Sequence, residues 1–252
     1  MGLNKAYIVA GGFGTRMKEF TRSTPKPMLP LQGKPILEYS IDLCKMHGIN
    51  DIAISVLYLG DMIRNYFRNG AEFGVRIQYI AEHKPLGTAG GLRLASDFLD
   101  ETFVMCNADE LKDIDLHEMY RQHKNSGALA TIALTEVSNP SNYGVAELHD
   151  NKITRFVEKP TLSEAPSNFI NSGLYILEPE VIDYVGKGHS MIEKDVFPKL
   201  AAQGMLHGFK FDGQWFDTGT KERYMLTEQL WKGFAPKMLV ANLDAKASKA
   251  AV

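Results

Sequence analysis

The sequence predicts an α/β protein built on a mostly parallel sheet flanked by helices, and three observations carry that prediction. Short apolar, β-rich runs alternate with helical patterns through the first half, the signature of βαβ units. The first run, Ala6 to Ala10, empties directly into the glycine-rich segment Gly11-Gly12-Phe13-Gly14. From Ala128 onward the pattern changes to successive strand-like runs, which reads as a mixed extension of the sheet or a lid.

Taken in order, strands are expected at Ala6 to Ala10, Ile52 to Leu57, Val75 to Ile80 and Thr102 to Cys106. Between them Pro35 opens a helix with Leu37, Ile41 and Cys44 on one face, which Gly48 closes. Further helices are expected over Asp61 to Phe67, Ala89 to Phe98 and Leu116 to Lys124. The second half offers strands at Ala128 to Glu136, Gly144 to Leu148, Ile153 to Glu158 and Ile170 to Leu177, then helical patterns at Pro179 to Tyr184 and Ile192 to Gln203. A strand near Leu206 to Phe211 and a helix from Lys221 to Trp231 finish the pattern. No linker-like stretch divides the halves, so one unit over 1–233 is expected, with the Ala- and Lys-rich end of 234–252 as a tail.

Composition narrows the function classes. A formal charge of -2 over 252 residues, from 28 Lys+Arg against 30 Asp+Glu, implies no general attraction to nucleic acid or an acidic membrane. Two cysteines, Cys44 and Cys106, fall in separate elements and suggest reduced thiols and a cytoplasmic location. No apolar run approaches the roughly 20 residues that span a bilayer.

Gly11, Gly12 and Gly14 let backbone N–H groups approach a ligand, while Arg16 and Lys26 supply positive charge, so the natural guest is anionic oxygen. Met17 stands where a dinucleotide fingerprint needs its third glycine, and Arg16-Met17-Lys18 replaces the P-loop Gly-Lys-Ser/Thr. Pro25, Pro27 and Pro30 argue against a helix directly after the loop and for an extended Lys26. Asp109, in Asn107-Ala108-Asp109 after a strand, is a hard oxygen ligand for Mg²⁺ or, more simply, a turn residue. Asp217, in Trp215-Phe216-Asp217-Thr218-Gly219, is a second such ligand or a cap for the last helix. Glu82 and the Pro85-Leu86-Gly87-Thr88 loop suit a flat base, and Lys159 could neutralise a second phosphate or form a solvated pair with Glu158.

Taken together, Gly11 to Arg16, Pro25 to Pro30, Pro85 to Gly90, Asn107 to Asp109, Glu158 to Pro160, Asn171 to Gly173 and Trp215 to Gly219 resemble the sugar-1-phosphate nucleotidyltransferases over about residues 5 to 230. The resemblance implies a Rossmann-like fold with a sugar-binding insertion, about 1–127 for the nucleotide and 128–233 for the sugar. It implies Arg16 and Lys26 as catalytic residues and Gly11, Gly12, Gly14, Thr15, Glu82, Gly87 and Thr88 around the nucleotide. It further implies Tyr143, Gly144, Glu158, Lys159 and Asn171 around the sugar phosphate, and Asp109 and Asp217 on Mg²⁺. Nucleoside triphosphate and sugar 1-phosphate are the implied partners, with oligomeric state open. Two departures stand out: Ala108 where the family usually has Gly, and Met17-Lys18-Glu19-Phe20 where it commonly reads Leu-x-Pro-Leu.

The implied chemistry accounts for an absence. A phosphate oxygen with a second pKa of about 6 is already an ionised nucleophile at neutral pH, so the seven scattered histidines need supply no general base. The remaining task is to bring two polyanions together and stabilise the leaving pyrophosphate. A carboxylate at Glu82 accepts from adjacent N1–H and N2–H₂ donors, which leans to guanine. Mannose- and heptose-1-phosphate guanylyltransferases carry a similar loop, and uridylyl, thymidylyl or cytidylyl transfer is the alternative. A non-catalytic nucleotide-sugar sensor is the rival from another class, and the retained charges argue against it. Replacing Arg16 tests the implied role: Arg16→Ala should lower turnover by roughly 10²- to 10³-fold, as for loss of one preorganised stabilising donor, and steady-state rates within a few-fold of wild type would remove Arg16 from the chemistry.

Overall fold

A computed structural model of the chain describes residues 2–12, 14 and 17–235. Thr15 and Arg16, and the tail beyond residue 235, lie outside the described residues. In chain order the strands are β1 (Lys5–Val9), β2 (Pro30–Leu31), β3 (Lys34–Pro35), β4 (Asp51–Val56), β5 (Arg76–Ala81), β6 (Phe103–Asn107), β7 (Glu110–Lys112), β8 (Ala130–Glu136), β9 (Gly144–His149), β10 (Lys152–Glu158), β11 (Phe169–Leu177), β12 (Leu206–Lys210) and β13 (Trp215–Asp217). The α-helices are α1 (Lys18–Thr21), α2 (Ile36–Met46), α3 (Gly60–Phe67), α4 (Gly87–Gly90), α5 (Leu116–Ser126), α6 (Phe197–Ala202) and α7 (Lys221–Leu230).

Nine strands form one continuous sheet in the order β5-β4-β1-β6-β11-β8-β12-β10-β9. β1 pairs in parallel with both β4 and β6, which aligns Val9 with Ser55 on one side and Asn107 on the other. The chain thus runs outward from β1 through β4 and β5, then returns to β6 on the opposite flank. That reversal opens a crevice beyond the carboxyl end of β1. β11 runs antiparallel to β6 and β8, so the second half extends the same sheet. Two small antiparallel pairs, β13 with β7 and β2 with β3, stand apart from the large sheet.

Each face of the sheet carries its own core. One packs Leu37 and Ile41 of α2, Ile63 and Phe67 of α3, and Leu116 and Met119 of α5 against Ile8, Ile54 and Val104. The other packs Leu92, Val181, Phe197 and Leu200 against Tyr7, Met105 and Tyr175. Alternation along the strands divides their side chains between the two layers. No helix among the described residues is long and apolar enough to cross a membrane.

Local departures from the sequence expectation have identifiable causes. A single helical turn, α1, does follow the glycine segment, and Lys26 sits in a 3₁₀ turn over Lys26–Met28 rather than an extended stretch. Pro25 and Pro27 permit this because the turn needs only Met28 N–H to Pro25 O, at 2.8 Å, and Leu29 N–H to Lys26 O. The helix expected over 89–98 is reduced to α4 and a 3₁₀ turn, Gly91–Ala95. There Ala89 and Gly90 donate to Ser190 O instead of continuing an intrahelical ladder. The helix expected from 192 begins as a π-helical turn, Ile192–Val196, and becomes α-helical at Phe197, because Pro198 has no N–H to donate backward.

Phe197 is fully buried, with its ring 5.5 Å from Phe156 and 5.1 Å from Tyr175. Phe197→Ala should cost about 3–5 kcal/mol of stability, read as a lowered urea midpoint with little change in the slope of the transition.

Candidate active site

Backbone pairing brings the carboxyl ends of four strands, β1, β4, β5 and β6, together. Ala10 N–H donates to Ser55 O, Ala108 N–H to Val9 O and Glu82 N–H to Val56 O. Around these ends lies a cleft of about 270 Å³, whose lining includes Gly12, Gly14, Lys26, Thr88, Asp109 and Gly219. Lys26, almost fully buried, places Nζ 2.6 Å from Asp109 Oδ2. The Asp109 carbonyl accepts both Thr218 N–H and Thr218 Oγ1–H, at 3.1 and 2.8 Å, and so ties this edge to the segment after β13.

Gly14 adopts φ +61°, and a Cβ there would lie 2.9 Å from Thr21 Cγ2, so glycine is required on both counts. The unusual segment behind it also has a packing role. Met17 is buried with Leu29, Leu31, Tyr39 and Trp231, Phe20 packs beside Tyr224 of α7, and Thr21 Oγ1–H reaches Gly14 O and Met17 O. These contacts fasten the loop to the last helix. Ala108 does not have positive φ and its methyl group is buried, so this position does not require glycine.

Glu82 lies beneath the cleft rather than in its lining. Its Oε2 accepts the Leu86 N–H at 3.1 Å and closes the 82–86 turn. Burial raises its pKa, while the Leu86 N–H and Ser55 oppose the rise. Ser55 Oγ is buried without a partner meeting hydrogen-bond geometry, yet lies close enough to Tyr7 and Glu82 to perturb both. Glu82 Oε1 would lie 3.0 Å from a Cβ on Gly91 and 3.6 Å from one on Gly11, so both glycines crowd this carboxylate.

Asp217 belongs to a second cleft of about 670 Å³, whose lining includes Glu136, Tyr143, Trp215 and Arg223. Its Oδ2 accepts Tyr143 Oη–H and Arg223 Nη1–H, both at 2.8 Å, and its Oδ1 accepts Gly219 N–H at 2.7 Å. Burial and the neighbouring Asp217 raise the Tyr143 phenol pKa. The register sets Asp217 opposite Glu110, and Thr218 N–H to Asp109 O continues the pairing one residue further.

Glu158, Lys159 and Asn171 line neither cleft, but Lys159 N–H donates to Tyr143 O at 2.9 Å. Lys159 has φ +51° and an Nζ 3.6 Å from Glu158 Oε1, a left-handed conformation uncommon outside glycine. A Cβ on Gly144 would lie 2.3 Å from Phe156 Cζ and 2.9 Å from Glu158 Oε2. Asn171 spans a bulge in β11, donating to Tyr175 Oη and accepting Gly173 N–H.

Among the described residues, no group of three or more His, Cys, Asp or Glu side chains is arranged to hold a metal ion. Mg²⁺ beside phosphates commonly takes only one or two protein carboxylates, so the hard oxygens of Asp109 and Asp217 fit in chemistry and number. Both are already partnered by cations, Lys26 and Arg223.

Residues 5–231 match the sequence model of the nucleotidyl transferase family. The chain belongs to that family. It is 41% identical over 237 residues to a UTP–glucose-1-phosphate uridylyltransferase of Synechocystis, covering 87% of this chain and 61% of the relative. It is 39% identical over 227 residues to the mannose-1-phosphate guanylyltransferase catalytic subunit beta of Xenopus tropicalis, covering 88% and 62%. The chain therefore spans about three fifths of the length of these relatives. A solved Bacillus anthracis structure, described as a glucose-1-phosphate thymidylyltransferase in complex with a sucrose, superposes with a TM-score of 0.82 at 28% identity, over 90% of this chain and 94% of that one.

In this nucleotidyl transferase family member, sequence reasoning missed a polar network under the cleft. Glu110 Oε1 accepts Asn107 Nδ2–H and Oε2 accepts Trp215 Nε1–H, both at 3.0 Å. Lys112 Nζ stands 3.5 Å from Glu110 Oε2, and its side chain is nearly fully buried. A Cβ on Gly173 would fall 2.4 Å from Glu110 Oε1. Nothing in the local pattern Glu110-Leu111-Lys112 announces this, because the partners come from β6, β11 and β13.

Desolvation raises the Glu110 pKa to about 7, and Asp109 adds to the rise against the pull of Lys112. Because this carboxyl is raised above its unfolded value of about 4.3, the native state binds the extra proton between the two. Its contribution to stability is therefore greatest at low pH and is lost as pH rises through 7. Glu110→Gln should flatten that dependence: between pH 5 and 8 wild type should lose about 2 kcal/mol relative to the variant, measured by urea titration at each pH.

Proposed function

We propose that the chain transfers a nucleotidyl group from a nucleoside triphosphate to a sugar 1-phosphate, with release of pyrophosphate. The observation that carries this reading is the convergence, at one sheet edge, of a glycine-walled cleft with the Lys26–Asp109 pair and, one strand away, Asp217. Acid–base groups are secondary for such a reaction, because the attacking phosphate is already ionised. Juxtaposed charge and fixed positions are what it requires.

Lys26 is suited to the triphosphate because its turn and burial fix its ammonium at the cleft. Lys159, half exposed beside Glu158 and tied to Tyr143, is suited to the sugar phosphate. Tyr143, Gly144, Glu158 and Asn171 are assigned to the sugar side, and Gly11, Gly12, Gly14, Thr15, Gly87 and Thr88 to the nucleotide. Arg16 is assigned with Lys26 to the chemistry. Asp109 and Asp217 would hold Mg²⁺, which when bound neutralises phosphate charge and supports the leaving group. Since Lys26 and Arg223 already balance these carboxylates, the cation should bind tightly only together with phosphate oxygens.

For the base we favour guanine, and for the sugar a mannose or manno-heptose type. Ionised Glu82 accepts and cannot donate, which suits the paired N1–H and N2–H₂ donors of guanine, and the Xenopus relative is named for guanylyl transfer to mannose 1-phosphate. Uridylyl transfer is the second reading, supported by the Synechocystis relative. The two cysteines, both free and buried, agree with action in a reducing cytoplasm.

A screen of GTP, UTP, dTTP, CTP and ATP against several sugar 1-phosphates, read as Mg²⁺-dependent pyrophosphate release, tests the proposal. GTP with mannose 1-phosphate or a heptose 1-phosphate should give the highest kcat/KM. A preference for UTP or dTTP would overturn the base argument while leaving the transfer reaction standing, and no turnover with any pair would overturn both.

A further inference from the structure

A buried carboxylate on the far side of the nucleotide loop has no part in the assignments above. Glu193 is the second residue of the π-helical turn before α6, and it is only 9% exposed. An unpaired carboxylate at such a depth carries a desolvation penalty, and burial raises its pKa. Its Oε2 accepts Thr88 Oγ1–H at 2.7 Å, while that hydroxyl accepts Ile192 N–H at 2.9 Å. Thr88 itself lines the cleft that holds Lys26 and Asp109.

The surrounding backbone shows what this side-chain pair fastens. Ser190 N–H donates to Leu86 O, and Ser190 O accepts the N–H groups of both Ala89 and Gly90. The two segments approach so closely that a Cβ on Gly87 would lie 2.4 Å from Ser190 O, and one on Gly90 would lie 2.4 Å from Gly188 O. The partner segment is braced in turn, since Asp195 Oδ2 accepts Met191 N–H at 2.7 Å. A segment from the second half of the chain thus backs the nucleotide loop, and Thr88–Glu193 is its side-chain bolt.

We infer that Glu193 is a positioning residue for the nucleotide: through Thr88 it holds the 86–91 loop against residues 188–193. This rests on the reading of the loop as nucleotide-binding. Glu193 acts through Thr88 and is not a catalytic residue. Its removal should therefore act on nucleotide KM before kcat.

The test uses the whole chain, with Thr88→Val, Glu193→Ala, Glu193→Gln and the Thr88→Val/Glu193→Ala double variant. GTP and the other four triphosphates serve as probes, and melting temperature as the control for folding. Glu193→Ala should raise nucleotide KM by about ten-fold, as for loss of one charge-assisted hydrogen bond, with kcat within about three-fold of wild type, and Thr88→Val should raise it by at least as much. The double variant should be no worse than Thr88→Val alone, and Glu193→Gln, which keeps an oxygen acceptor for Thr88, should recover most of the loss. Amide hydrogen exchange at Ala89 and Gly90, which needs no substrate, should quicken in Glu193→Ala and Thr88→Val but not in Glu193→Gln. Unchanged nucleotide KM, additive losses in the double variant, or unchanged exchange would overturn the inference. An inactive wild type would overturn the functional reading instead, while exchange would still decide whether the bolt holds the loop.

Discussion

β1 is hydrogen-bonded in parallel along both edges, and the rest of the site depends on that double pairing. Parallel register leaves little freedom: once Val9 lies level with Ser55 and Asn107, the segments leaving β1, β4 and β6 must emerge side by side. The glycine loop and Asp109 are neighbours for that reason, although about a hundred residues separate them. Glu82 arrives from β5 by the same logic, through its bond to Val56 O.

Burial of charge is the recurring feature around that edge. Lys26, Glu82, Lys112 and Glu193 are each less than a tenth exposed, and each has a specific partner. Lys26 meets Asp109, Glu82 the Leu86 N–H, Lys112 the Glu110 carboxylate and Glu193 the Thr88 hydroxyl. Apolar groups of similar volume would often hold such positions at least as stably. Fixed polar groups in a low dielectric are what preorganised electrostatic stabilisation needs.

The chain closes on itself around the loop that opens the site. Met17 and Phe20, which depart from the pattern common in the family, pack with Trp231 and beside Tyr224, and the Thr218 hydroxyl and N–H grip the Asp109 carbonyl. Changes around residues 17–20 and 224–231 should therefore be coupled, because Met17, Phe20, Tyr224 and Trp231 belong to one small apolar cluster behind the glycine segment.

Periodicity and turn chemistry determined the element types, and the ordered motifs determined the family and singled out Lys26, Asp109 and Asp217 as candidate site residues. These features are local: alternating apolar residues report a strand, and proline beside lysine limits the backbone wherever it occurs. What only the tertiary structure decided is non-local. The Ala89 region is not a long helix, because its N–H groups are taken by Ser190, a hundred residues away. Glu110 is a buried hub and Glu193 a brace for Thr88, yet each is an ordinary acidic residue in the chain's local pattern. Their roles follow from strand order, which brings partners from β6, β11 and β13, or from the turn before α6, within hydrogen-bond distance, and no short window of sequence contains that order.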